Sequence, residues 1–170
     1  MRPYITGIHH ITAIAGNAQQ NIDFYTGILG LRLVKRTINF DAPDVYHFYF
    51  GDELGRPGTV FTTFPFTGAR KGTKGAGEVT YTAFSIGISS LDFWRDRLRK
   101  FGITVSDVLT RFGDSLIRFE DQDGMGIELV ANGEDDPVMG EIAKECEEEA
   151  YAIFRKAAEQ EKDWAEFLFK

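Results

Sequence analysis

The sequence predicts an α+β fold made of two copies of one small β-α-β-β-β unit followed by a helical tail. Three observations predict it. Two amphipathic segments of similar design stand 69 residues apart, as Asp23-Phe24-Tyr25 and Asp92-Phe93-Trp94. Apolar, alternating stretches bounded by Gly, Asp and Pro flank each of them. After Asn132-Gly133 the apolar spacing turns helical.

In chain order, a strand over 8–15 leads to a helix over 17–30. Asn17 is its N-cap, Ile22, Tyr25 and Leu29 share one face, and Gly30 stops it. Strands over 31–40, 46–50 and 59–64 come next, punctuated by Asp41-Ala42-Pro43-Asp44 and by Asp52-Glu53-Leu54-Gly55-Arg56-Pro57-Gly58. The second copy opens with a strand over 79–86 and a helix from Ser89 or Ser90 to Phe101-Gly102. Strands over 104–109, 115–119 and 126–130 close it, the last pair turning at Asp121-Gln122-Asp123-Gly124. The modules occupy about 5–66 and 78–132 of a domain over 1–133. Between them, Thr67 to Gly77 is rich in Gly and Lys but lacks Walker spacing and opens no helix, so it reads as a mobile linker and not a phosphate loop.

The tail, 134–170, starts a helix at Asp136-Pro137 and repeats Val138, Ile142, Cys146, Ile153, Ala157, Trp164 and Leu168 at near-helical spacing. With Trp164, Phe167 and Phe169 it reads as a packing or dimerisation element.

Net charge is −7, and the tail carries it, with 12 acidic and 5 basic residues against 14 of each in 1–133. Neither part offers the basic surface that nucleic acid requires. No apolar run is long enough for a membrane span and no signal peptide is visible, so the expected location is the cytoplasm. The single cysteine, Cys146, fits a reducing compartment, and its glutamate neighbours disfavour a thiolate.

Histidine is scarce, and two of the three stand together as His9 and His10. On a strand they face opposite sides. A structural pair at a strand start is one reading; a metal site is the other. Glu128, isolated in the apolar run Gly126-Ile127-Glu128-Leu129-Val130, needs a partner if buried and none if it faces solvent. His47 reads as a core histidine or a neighbour of a site.

The runs Gly7-Ile8-His9-His10-Ile11-Thr12, Asp23-Phe24-Tyr25-Thr26-Gly27-Ile28-Leu29-Gly30, Tyr46-His47-Phe48-Tyr49-Phe50-Gly51-Asp52, Gly55-Arg56-Pro57-Gly58-Thr59 and Asp121-Gln122-Asp123-Gly124-Met125-Gly126-Ile127-Glu128-Leu129 resemble the vicinal oxygen chelate superfamily of glyoxalases, bleomycin-resistance proteins and extradiol dioxygenases. The resemblance is strongest to its hydroquinone-type ring-cleaving dioxygenases. It implies paired βαβββ modules around a cleft holding Fe(II), or Mn(II), on two histidines and a glutamate, open to an aromatic substrate and O₂.

Carried over by position, His10 and Glu128 are metal ligands. His9 and Thr12 stand beside the substrate, and Arg111 lies near its oxygens. Arg118 stands where such dioxygenases tend to have tyrosine. The second histidine has no counterpart, and Tyr81 is the best-placed substitute. The resemblance also implies four modules where this chain has two, from which a homodimer is expected. Hydroquinone- or catechol-type ring cleavage is the leading expectation. A glyoxalase-type isomerase and a non-catalytic binder of small molecules are the alternatives.

Overall fold

The computed structural model describes residues 7–135. The predicted tail helix, its packing or dimerisation role and Cys146 lie outside them. Backbone contacts divide the chain after Asp135. Among the described residues no helix is long and apolar enough to cross a membrane.

The first module runs β1 (His10–Ala15), α1 (Ala18–Ile22), β2 (Arg32–Ile38), β3 (Tyr46–Gly51) and β4 (Val60–Pro65). The second runs β5 (Tyr81–Gly87), α2 (Leu91–Lys100), β6 (Leu109–Arg111), β7 (Asp114–Glu120) and β8 (Gly126–Gly133). Each forms a four-stranded sheet, ordered β1-β4-β3-β2 and β5-β8-β7-β6. In both, the first strand pairs parallel with the last and the remaining pairs are antiparallel. The identical order is the structural form of the internal repeat.

Asn17 caps α1 as expected, its side chain accepting from Gln20 N at 3.0 Å. The helix does not stay α. From Asp23 to Ile28 it widens to a π-helix, with Leu29 N donating to Phe24 O. Thr26 bonds back to Ile22 O at 2.7 Å inside this segment. The wider turn changes which side chains share a face. Asn21, Phe24, Tyr25, Ile28 and Leu29 are buried, while Ile22 is only half-buried.

The strand expected over 104–109 is the other departure. Only Leu109–Arg111 forms a strand there. Ser106 explains the loss: its N–H still donates to Arg118 O at 2.9 Å, but its hydroxyl takes the return bond, accepting from Arg118 N at 2.9 Å and donating to Asp107 O.

A shared core joins the modules. Tyr25 lies between Phe50 and Phe61, with ring centroids 5.0 and 4.9 Å away, and its hydroxyl donates to Asp121 Oδ2 at 2.8 Å. Gly16 N donates to Asp123 Oδ2. Buried Arg97 of α2 donates to Gly27 O and Ile28 O, both at 2.8 Å, closing the exposed carbonyl end of the first module's helix. Phe24 meets Phe119, and Phe61 meets Phe84. The Thr67 to Gly77 segment has no regular structure beyond turns, and Lys74 ties it to Glu120 at 2.7 Å.

Candidate active-site faces

In each sheet one face packs on the helices and the aromatic core. The candidate residues lie on the opposite faces. In the first sheet, cross-strand register sets Thr12 beside Thr62, Thr62 beside Tyr49 and Tyr49 beside Lys35. Thr12 and Thr62 share a 2.7 Å hydrogen bond. His47 lies on this face as well. Its Nδ1 is 3.0 Å from the Tyr49 hydroxyl, and its ring packs on Tyr49 and Phe64 at 4.1 and 4.2 Å. Burial holds the imidazole below its ordinary pKa, and the nearby His10 and Lys35 add to that, so His47 is neutral at pH 7. Its Nε2 is buried without a hydrogen-bond partner among the described residues.

His9 and His10 do not diverge as strand alternation predicts. His9 precedes β1, so the pleat does not govern it, and the two Nδ1 atoms come within 3.0 Å with the rings edge to face. Both are exposed. The Gly55-Arg56-Pro57-Gly58-Thr59 motif sets this start of the strand. Asp52 accepts from Leu54 N and Arg56 N and pairs with the Arg56 guanidinium at 2.8 Å, and Gly58 N donates to His9 O at 2.9 Å.

The second sheet gathers Glu128, Arg118, Arg111 and Tyr81. The turn at Asp121 to Gly124 forms as expected, with Gly124 N donating to Asp121 O and Gly124 in the left-handed region at φ 83°. It sets Arg118 directly opposite Glu128. Arg118 Nε donates to Oε1 at 2.8 Å, and Arg111 Nη2 forms an ion pair with Oε2. Glu128 is 1% exposed. Tyr81 lies across Gly126, where a Cβ would come within 2.7 Å of its ring, and the Arg118 guanidinium sits 4.7 Å above that ring.

The sequence-predicted residues therefore fall into two groups. His9, His10 and Thr12 belong to one sheet, and Glu128, Tyr81 and Arg111 to the other. Among the described residues no three His, Cys, Asp or Glu side chains converge on a common point. His10, exposed, fits a single metal ligand. Glu128 does not fit one in this arrangement, because two guanidinium groups hold its oxygens and their charge opposes a cation. Tyr81, beneath Arg118, meets the same obstacle.

The Arg118 pairing has a signal in the sequence, because positions 118 and 128 each lie five residues from Asp123 at the turn. Thr62 gave no such signal, since its partner Thr12 is 50 residues away, and the packing of His47 on Phe64 of another strand gave none either.

The chain is similar to known proteins over most of its length. Residues 7–129 match the model of the family described as Glyoxalase/Bleomycin resistance protein/Dioxygenase superfamily. The Bacillus subtilis protein named "Putative ring-cleaving dioxygenase MhqO" is 49% identical over 128 residues, 75% of this chain and 41% of its own length. The "Chlorohydroquinone/hydroquinone 1,2-dioxygenase" of Sphingobium indicum is 42% identical over 134 residues, 77% of this chain and 42% of its own. A crystal structure of a Bacillus subtilis protein named "putative dioxygenase" superposes with a TM-score of 0.72 at 49% identity, covering 74% of this chain and 40% of that one. The chain thus spans about two fifths of the length of these relatives. A stretch of 44 residues, 26% of the chain, is 59% identical to the Haemophilus influenzae ribonucleoside-diphosphate reductase subunit beta, where it covers 12% of the length.

Proposed function

The chain belongs to the Glyoxalase/Bleomycin resistance protein/Dioxygenase superfamily, and on that premise we propose that it serves extradiol-type ring cleavage of a hydroquinone- or catechol-like aromatic in the cytoplasm. The observation that carries the reading is the 42–49% identity, over 128 to 134 residues, to relatives named "Putative ring-cleaving dioxygenase MhqO" and "Chlorohydroquinone/hydroquinone 1,2-dioxygenase". One of those names specifies hydroquinone and chlorohydroquinone.

Fe(II), or else Mn(II), is the metal that suits an imidazole and oxygen donors, and when bound it would supply a common site for the substrate oxygens and O₂. From this chain the proposal assigns His10 as a ligand. Further ligands come from a second pair of modules, which the length of the relatives supports and a homodimer would provide. His9, 3.0 Å from His10, holds or accepts a substrate hydroxyl proton, and Thr12, tied to Thr62, orients that hydroxyl. Arg111 is the cation for the phenolate, since it keeps guanidinium nitrogens beyond the one facing Glu128.

One observation favours a second reading, binding without catalysis: the Glu128 carboxylate is already ion-paired with two arginines. Metal analysis and oxygen uptake separate the two. The purified full chain, reconstituted anaerobically with Fe(II), is expected to retain iron and to consume O₂ with hydroquinone. His10→Ala is expected to lose both. Equal iron in the two proteins removes His10 from the site, and no O₂ uptake by the iron-loaded protein overturns ring cleavage. Light scattering that gives a monomer at micromolar concentration removes the homodimer.

A further inference from the structure

The geometry points to an anion site on the second sheet: Arg111 and Arg118, held as a fork by the buried carboxylate of Glu128 and backed by the ring of Tyr81, receive the carboxylate of a small organic acid. This proposal does not rest on the ring-cleavage reading.

Two guanidinium groups share the one buried carboxylate of Glu128. The side chains of Arg111 and Arg118 are 41% and 37% exposed, whereas Glu128 is 1% exposed. The negative charge is sealed below while the positive groups reach solvent. Arg118 directs Nε to Glu128, and its Nη1 and Nη2 have no partner among the described residues. Arg111 directs Nη2 to the same carboxylate, which leaves Nε and Nη1. Paired N–H groups of a guanidinium match the two oxygens of a carboxylate in a bidentate contact, with more geometric demand than a lone ammonium makes.

The fork is also held in place. Arg118 is fixed at one end by the 2.8 Å bond to Glu128 and on its face by Tyr81, so little side-chain entropy remains to be lost on binding. Tyr81 and Ala83 are exposed on this face beside the charges, giving an apolar edge suited to the ring of an aromatic acid. Two other acidic groups stand in register here. Glu120 pairs with Lys74 at 2.7 Å, and Asp114, opposite Arg111, accepts from Asn132 Nδ2 at 3.2 Å while keeping its charge.

Benzoate is the probe and benzamide its neutral isostere. Titration calorimetry of the full chain is expected to show saturable benzoate binding at least tenfold tighter than benzamide. Arg111→Met is expected to weaken it at least tenfold, and so is Arg118→Lys, which keeps the charge but loses the fork. Where a variant fails to fold, ¹⁵N shifts of the arginine Nε–H groups in the unaltered protein carry the test, and benzoate must move those of Arg111 and Arg118. Mn(II) binding, followed by electron paramagnetic resonance, is expected to be equal in the unaltered protein and Glu128→Gln. Absence of saturable benzoate binding, indifference to both arginine substitutions, unmoved arginine shifts, or Mn(II) binding lost in Glu128→Gln would each overturn the proposal.

Discussion

Replacing Tyr25 by Phe removes one hydroxyl from the centre of the molecule and leaves the packing of the ring in place. Tyr25 is 0% exposed and sits against Phe24, Phe50 and Phe61. What disappears is the 2.8 Å hydrogen bond to Asp121, across 96 residues of chain and between the two modules. A hydrogen bond to a charged group contributes about 1.5–3 kcal/mol. Asp121 is left buried with one oxygen bonded to Asp123 N and Met125 N and the other without its donor. We therefore expect a loss of about 2 kcal/mol, which at this domain size lowers the thermal midpoint by about 8 °C.

Urea unfolding followed by circular dichroism measures the change. Its slope should be unchanged, since the surface exposed on unfolding is the same. A double-mutant cycle with Asp121→Asn assigns the energy, and a coupling above about 1 kcal/mol is expected for groups in direct contact. A loss under about 0.5 kcal/mol, or a coupling near zero, would refute the view that this bond locks the modules together.

Asp121 also fixes a pH dependence. Burial raises its folded pKa above the usual aspartate value, against the lowering effect of its backbone and Tyr25 hydrogen bonds. The folded state then holds its proton to higher pH than the unfolded state, so this stabilising contribution is full below the unfolded pKa and lost as pH rises through the folded one. Denaturant midpoints between pH 4 and pH 7 should show it, and Asp121→Asn should flatten that part of the profile. Phe112 is 98% exposed with φ 56°, beside Gly113 at φ 96°, in the hairpin between β6 and β7. A bulky residue is strained in that region, so Phe112→Asn should stabilise by about 0.5–1 kcal/mol, read as a higher thermal midpoint. A chain ending at Asp135, where the contacts divide, should unfold cooperatively with near-ultraviolet dichroism intact. Loss of that signal would show that the two modules depend on residues 136–170 for their packing.

Much of the fold is legible in the sequence because its determinants are short-range. Asn17 caps a helix because its side chain reaches a backbone N–H three residues on. The Asp121 to Gly124 turn sets the register that places Arg118 opposite Glu128. The repeat of the β-α-β-β-β pattern sets the sheet order twice. Two local expectations failed for equally local reasons. The α1 segment widened to a π-helix, and Ser106 bonded backbone groups that a strand would have paired.

The candidate site was legible only as residue types. Resemblance singled out His10, Glu128, Tyr81 and Arg111 together, and the tertiary structure alone decided which of them meet. Sequence spacing says nothing of whether Arg111, on a three-residue strand at the sheet edge, reaches across to Glu128. It does reach, so a carboxylate that reads as a cation ligand is the counter-ion of two arginines. Capping, turn type and hydrophobic period act within a few residues and can be read from them. Charge pairing acts through space, and its outcome depends on how strands distant in sequence are laid side by side.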